Sequence, residues 1–304
     1  MSIYSLIYRV YMTVRKAARS TGHINILRVI FGPFAGRLLF RLAPGTKYAI
    51  RSNGHEMELA YGAQYPPIEM IFGNYEQETV LLFERRIRSG MRVVDIGAHV
   101  GFFTLLAAKL VGPTGEVYAF EAEPENYKIL QSNINRNKYQ NVTAENQAVS
   151  DNNGTAHFYL SGLDNGSHSL HKVRRRMTRG AIKVRETTLD AFFKAQGWPV
   201  IDLIKIDVEG AENMVIKGMQ QVLALQPAPD LVIEFCPFLL EEAGNKSGLL
   251  IRTLQSLDYS VFTITDEANL TLLENDSDIA KLISSLLKRQ TYINVFCTRG
   301  DAKT

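Results

Sequence analysis

The residues best placed to do chemistry lie in three short stretches. In V-V-D-I-G-A-H-V-G-F-F, from Val93 to Phe103, Asp95 leads into Gly97 and Gly101 with the spacing D-x-G-x-x-x-G. Two β-branched residues precede Asp95 and read as a strand; the apolar run that begins at Phe102 reads as a helix. Strand, glycine turn and helix start together bring free N–H groups to a ligand, because glycines let the backbone come close. The spacing is not the G-x-G-x-x-G of dinucleotide binders. In the second stretch, Glu121 follows Tyr118-Ala119-Phe120, 20 residues beyond Gly101. A carboxylate at that strand end can accept two hydrogen bonds from a ribose diol. Asp95, Gly97, Gly101 and Glu121 therefore describe a nucleoside site. The third stretch, I-K-I-D-V-E-G-A-E from Ile204 to Glu212, gathers Asp207, Glu209 and Glu212 at another strand end, where a carboxylate could act as a general base.

The surrounding pattern must position these groups. From Val93 onward the periodicity alternates: strand 92–96, helix 101–111, strand 116–121, helix 124–136 and strand 142–148. It resumes with helix 187–195, strand 201–207, helix 211–224, strand 230–235, helix 247–257, strand 259–265, helix 277–289 and strand 291–298. This is an α/β, doubly wound pattern with a parallel sheet, and ligands then lie outside the carboxyl ends of its strands. A helix from Tyr75 to about Arg88 has an acidic start and a basic end, as the helix dipole prefers. Residues 150–185 interrupt the alternation and read as a hairpin-like insertion with a basic loop, Lys172 to Arg185. Asn53-Gly54 between two short strand-like runs signals a hairpin.

Composition bounds the rest. A chain of 304 residues with 46% hydrophobic and 21% charged residues can bury a sizeable core. Its two cysteines, Cys236 and Cys297, lie in apolar strand-like stretches and read as reduced core thiols. No Cys/His spacing suits zinc. The net charge of +3 hides an asymmetry: residues 1–55 hold nine Lys and Arg and no acid. We place residues 1–60 in a basic, mostly helical amphipathic extension and residues 61–300 in one domain. The first twenty residues put Ile3, Leu6, Ile7, Val10, Val14 and Ala17 on one face. Three readings fit residues 1–45: a helix lying on an anionic membrane surface, a helix packed on the domain, or an organellar transit segment. No run is long enough to span a bilayer, so the expected location is cytoplasmic, with peripheral membrane attachment as one option.

With these motifs assembled, the chain resembles the FkbM family of S-adenosylmethionine-dependent methyltransferases. The likeness rests on V-V-D-I-G-A-H-V-G-F-F-T, A-F-E-A-E-P-E-N, T-T-L-D-A-F-F at Thr187 to Phe193, I-K-I-D-V-E-G-A-E, and L-V-I-E-F at Leu231 to Phe235. It covers about residues 75–265. The resemblance implies a class I, Rossmann-like fold with a seven-stranded, mostly parallel sheet and an antiparallel last strand. It also implies methyl transfer, usually to a hydroxyl. By position, Asp95, Gly97 and Gly101 would form the loop around the methionine part of the cofactor, with His99 and Phe102 as further cofactor-binding candidates, Glu121 would hold the ribose, and Asn146 to Ala148 would lie near the adenine. His99 could reach the pocket or face solvent, and we expect solvent. Glu76 could close over the cofactor, or be only a helix-start acid.

Methyl transfer from a sulfonium is an in-line displacement, so alignment can supply most of the catalysis. An alcohol acceptor also loses a proton. Asp207 would contact the cofactor's amino group or the acceptor, Glu209 on the turn is the expected base, and Glu212 can cap the next helix. His168, in the inserted loop, is a second base candidate. Lys205, between Ile204 and Ile206, would snorkel or pair with an acid. Asp207 and Glu234, at neighbouring strand ends, could hold Mg²⁺ with waters, although ordinary strand-end acids look the same. The expected acceptor is a hydroxyl on a glycan, glycolipid or small metabolite; the basic loop would suit a phosphate or a lipid headgroup. RNA is not expected, because no aromatic residues interleave the arginines. N-methyl transfer to a protein or lipid amine, or a membrane-associated binding protein without turnover, are the alternatives.

Overall fold

The computed structural model describes residues 47–60, 70, 75–161, 166–173 and 178–300. The reading of residues 1–45 as an amphipathic helix lies outside the described residues, as do Arg174, Arg175 and Arg176 of the basic loop. Among the described residues no helix is long and apolar enough to cross a membrane.

The chain enters through a hairpin, β1 (Lys47–Ser52) and β2 (His55–Ala60). Asn53 and Gly54 both take positive φ between Ser52 and His55, the two-residue turn that matches strand twist. Helix α1 (Gln77–Arg86) follows, then β3 (Arg92–Ile96), α2 (Phe102–Val111), β4 (Glu116–Phe120), α3 (Pro124–Arg136) and β5 (Val142–Glu145). The insertion contributes β6 (Ala148–Val149), β7 (Gly154–Ser161) and β8 (Thr178–Thr187). Alternation resumes with α4 (Leu189–Lys194), β9 (Leu203–Ile206), α5 (Glu212–Lys217), α6 (Gln220–Ala224) and β10 (Asp230–Phe235). Helices α7 (Pro237–Glu242) and α8 (Ser247–Ser256), strands β11 (Ser260–Ile264) and β12 (Leu270–Leu272), helix α9 (Asp276–Arg289) and strand β13 (Ile293–Thr298) complete it.

The central sheet runs β12-β11-β13-β10-β9-β3-β4-β5. Strands β10, β9, β3, β4 and β5 are parallel, and the last strand, β13, is antiparallel to both neighbours. The expected doubly wound sheet is therefore present with one correction: it has eight strands, because Leu270–Leu272 turns back on β11 as an edge hairpin. The expected strand 142–148 also divides. Ala148 and Val149 leave the main sheet and pair with β8 in a separate three-stranded sheet, β6-β8-β7. The expected helix 211–224 breaks at Gly218, where a Cβ would come within 1.9 Å of the Ser150 carbonyl oxygen.

Alternation along the strands sorts two cores. Val94, Ile96, Tyr118, Phe120, Ile204 and Ile206 face α4 to α9. Val93, Val117, Ala119, Leu203, Val232 and Phe296 face α1, α2 and α3. On that second face two charged residues stand in the row that also holds Ala119, Val232 and Phe296. Asp95 and Lys205 stand opposite each other in register, and both are buried. The hairpin is tied to α3 as well: Asn133 Nδ2 donates to the Glu58 carbonyl, and its Oδ1 accepts from the Glu58 N–H. Residues 47–60 thus belong structurally with the body that follows them.

Candidate functional site

The glycine loop after β3 is built around close approach. Gly97 has φ +82°, and a Cβ there would lie 1.8 Å from the Asp207 carbonyl oxygen. Gly101, at the N-terminus of α2, has φ +96° and faces the end of the Leu130 side chain. The N–H groups of Gly97 and Ala98 donate to the Phe120 carbonyl, at 3.0 and 2.9 Å. Glu121 completes the loop. Its Oε2 accepts from the His99 N–H at 2.8 Å and its Oε1 from the Glu123 N–H at 2.8 Å. Burial pushes this carboxyl up to about 7, against the pull of those two N–H donors. Each oxygen retains a second lone pair, so the loop contacts leave room for a diol.

Asn146 Nδ2 donates to the Glu121 and Ala122 carbonyls at 2.8 and 3.1 Å, bracing the segment it was expected to adjoin. Ala148 packs with Ala122, Phe158 and Val184, so the inner face of the β7–β8 ribbon lies against the end of β4. Phe102 stacks edge-on against Tyr75, with ring centroids 4.9 Å apart. His99 corrects an expectation. It is half-buried with φ 50°, and its Nε2 is buried, so the ring does not face solvent.

Asp95 Oδ2 accepts from the Thr104 hydroxyl at 2.6 Å, whereas Oδ1 is buried with no partner. Burial raises this carboxyl, and the Lys205 charge and the Thr104 bond oppose the rise. Lys205 is 3% exposed. Its Nζ donates to Asp207 Oδ2 at 2.8 Å and lies 4.8 Å from the centre of the Phe103 ring. Burial pulls the ammonium down, but Asp207, Asp95 and Glu76 more than reverse this and hold it above its usual range. Lys205 therefore pairs with an acid, the second of the two readings the sequence allowed.

Four further carboxyl groups meet at the ends of β9 and β10. Glu209 sits in a strained turn at φ 54°, followed by Gly210 at φ 100°. Glu212 is 1% exposed, and its Oε1 accepts from the Gly210 N–H at 3.0 Å, a bond to the turn ahead of α5. Burial pushes it up to about 7. Glu234 is buried, and its carboxyl is raised well above the usual range, first by burial and then by the charges of Asp207, Glu209, Glu76 and Glu212. Glu76 N-caps α1 with φ 42°, and its Oε2 accepts from Asn294 Nδ2 at 2.7 Å. Burial raises Glu76, and Lys205 opposes the rise. Of the two acids expected to hold Mg²⁺ with waters, Asp207 gives its Oδ2 to Lys205, and among the described residues there is no group of three or more His, Cys, Asp or Glu that could hold a metal ion.

The insertion reaches this cluster through residues 166–173. The Ser169 hydroxyl donates to the Glu209 carbonyl at 2.8 Å and accepts from the His171 N–H at 3.1 Å. Val173 packs on Cys236 and Leu239. His168 Nδ1 accepts from the Ser161 N–H at 2.9 Å, and the ring stands edge-on to Phe158. That bond leaves the proton of the neutral ring on Nε2. His168 thus offers a donor where a base was expected.

Sequence reasoning missed Asn294, Thr79 and Ser169. Asn294 also donates to the Thr79 hydroxyl, and it left a signal as the one strongly polar residue in the apolar run Ile293 to Cys297. Ser169 left none: its role depends on contact with a turn 40 residues away. Replacing Ser169 by Ala should lower stability by about 1–2 kcal/mol, the usual cost of orphaning buried partners. Chemical denaturation beside calorimetric ligand titration checks this, and cofactor affinity should be unchanged because the β3 loop is untouched.

A family model described as the methyltransferase FkbM domain matches residues 95–261. Among curated relatives, the hexuronic acid methyltransferase AglP of Haloferax volcanii is 25% identical over 159 residues, 52% of this chain and 62% of that protein. The 31-O-demethyl-FK506 methyltransferase FkbM of Streptomyces tacrolimicus is 29% identical over 161 residues, 44% of this chain and 61% of that protein. The chain thus spans less than two thirds of these relatives. Among solved structures, a methyltransferase FkbM from Methylobacillus flagellatus KT aligns with TM-score 0.44 at 15% identity, covering 70% of this chain and 44% of that one.

Proposed function

The chain belongs to the FkbM methyltransferase family, and we propose that it transfers a methyl group from S-adenosylmethionine to a hydroxyl oxygen on a glycan, glycolipid or small metabolite. The observation that carries this reading is the junction of the β3 and β4 ends. There a buried carboxylate, Glu121, gathers the glycine loop through two N–H donors while keeping lone pairs for a ribose. The pocket also fits the cofactor's cationic end, since Asp95 Oδ1 is a buried acceptor with no partner inside the protein.

Gly97, His99 and Gly101 would line the loop, Asn146 to Ala148 would adjoin the base, and Glu76 and Asp207 would face the cationic end. When bound, S-adenosylmethionine supplies the electrophilic methyl group. The protein's own part is alignment and proton removal. Glu209, on the turn beyond Asp207, is the proposed base, and Ser169 holds its backbone in place. The name of one relative, a 31-O-demethyl-FK506 methyltransferase, supports an oxygen acceptor, and that of another, a hexuronic acid methyltransferase, supports a sugar-like one. Exposed Lys172, Arg179, Lys183 and Arg185 on the insertion would favour an acceptor with an anionic group.

Two measurements test this. Isothermal titration should show S-adenosylmethionine binding, and labelled methyl should pass from it into glycan or lipid fractions, with product mass spectrometry locating it on oxygen. Methyl found on nitrogen would replace the acceptor assignment and leave the cofactor assignment standing. Absence of cofactor binding by the wild type would remove both.

A further inference from the structure

Lys205 is the one cation among the described residues buried within the carboxylate cluster, on a sheet face where the preceding row holds Val93, Val117 and Leu203. Burying an ammonium there is costly unless it is paired and needed. Its pairing is unequal. Asp207 takes the hydrogen bond at 2.8 Å, Phe103 presents its ring at 4.8 Å, and Asp95 faces it across the β3–β9 register with Oδ1 unpartnered. Glu76 completes the surroundings from the N-terminus of α1, held in place by Asn294.

We propose that Lys205 is a positioning residue of the cofactor pocket: its ammonium keeps Asp95 and Glu76 charged and Asp207 oriented, so that these acids can receive the cationic groups of the methyl donor. This rests on the reading of the pocket as an S-adenosylmethionine site. Lys205 acts through the acids beside it. It is itself positive, so direct contact with a sulfonium or ammonium would be repulsive.

The groups that face this position are Asp95 on β3, Asp207 just beyond β9, Glu76 before α1 and the Phe103 ring on α2, with Glu234 on β10 acting on Asp207 and Glu76. Burial already raises Asp95 and Glu76, and the Lys205 charge opposes that rise in both. Without Lys205 these two acids would hold protons nearer neutrality. Cofactor binding would then have to release protons that the wild type has already lost, and affinity would depend more steeply on pH.

The test is calorimetric titration of S-adenosylmethionine into wild type, Lys205→Gln and Lys205→Arg across pH 6 to 8.5. Wild type carries one slope of its own, through Glu121. In Lys205→Gln, affinity should fall further on acidification, by roughly tenfold per pH unit for each of the two acids that must give up a proton. Lys205→Arg should keep the wild-type slope, because it restores the charge. Parallel curves for Lys205→Gln and wild type, with affinity lowered equally at all pH values, would mean a merely structural lysine and overturn the proposal. If Lys205→Gln does not fold, the pair Lys205→Gln with Asp95→Asn removes one charge of each sign. Glu76 should then still steepen the curve, and a wild-type slope would count against Lys205. Absence of binding by the wild type would strike the pocket reading; parallel slopes strike only Lys205.

Discussion

Gly97→Ala should abolish measurable S-adenosylmethionine binding and lower the melting temperature, whereas Gly101→Ala should do far less. The two glycines look equivalent in the motif but not in space. A Cβ on Gly97 would sit 1.8 Å from the Asp207 carbonyl oxygen, and that backbone is held by the bond from the Asp207 N–H to the Ile96 carbonyl. Neither side can move without parting β3 from β9 at their carboxyl ends. A left-handed alanine adds roughly 1–2 kcal/mol at either position, so the difference lies in what each Cβ meets. A Cβ on Gly101 would meet the Leu130 Cδ1 atom at 2.7 Å, the far end of a side chain that can turn away. We expect at least a hundredfold loss of affinity for Gly97→Ala, about 2.7 kcal/mol. Titration calorimetry with thermal melts would settle it; a Gly97→Ala protein that binds within twofold of wild type would contradict this account of the loop.

Removal of the Glu121 carboxylate should have an effect of similar size, with a pH signature that separates it from a simple loss of fold. Glu121→Ala deletes the acceptor for two N–H groups, those of His99 and Glu123, together with the proposed ribose contact. Cofactor affinity should drop by about two orders of magnitude or more, since charge-assisted bonds and orphaned donors both count. In the ligand-free protein the linkage has a definite sign. The folded carboxyl is raised to about 7 from a reference of 4.5. Between these values the folded state binds more protons than the unfolded one, so stability falls as pH rises through that window. Glu121→Gln should flatten this fall by up to roughly 2–4 kcal/mol in chemical denaturation between pH 4.5 and 7.5. Cofactor affinity in wild type should rise with pH over the same interval, because the ionised carboxylate is the better diol acceptor. A wild-type affinity independent of pH across 6 to 8 would show that Glu121 enters the complex without changing protonation.

The structure also recasts the acids at the ends of β9 and β10. In sequence, Asp207, Glu209 and Glu212 form one cluster with interchangeable members. In space they have separate partners: Lys205 for Asp207, Ser169 at the Glu209 carbonyl, and the Gly210 N–H for Glu212. Glu234 comes from the neighbouring strand and Glu76 from the start of α1. Burial, the first cause of the upward shifts in Glu76, Glu212 and Glu234, has no expression in local sequence.

By itself the sequence determined the local periodicity and its direct consequences. Alternation of strand and helix, the glycine turn after Asp95 and the acid at the end of β4 are set by near neighbours, and right-handed crossovers then assemble the strands into a parallel sheet. These features were legible because each depends on residues a few positions apart. Tertiary structure alone decided the register and the contacts. It placed Asp95 opposite Lys205, seated Asn294 over Glu76, turned His168 toward Ser161 and took His99 out of solvent. It also added β12 to the sheet edge and drew Ala148 into a second sheet. Each of these joins residues far apart in the chain, whose meeting depends on which strand lies beside which. Hydrophobic periodicity says which way a side chain points from its strand; only the packed sheet says what it finds there.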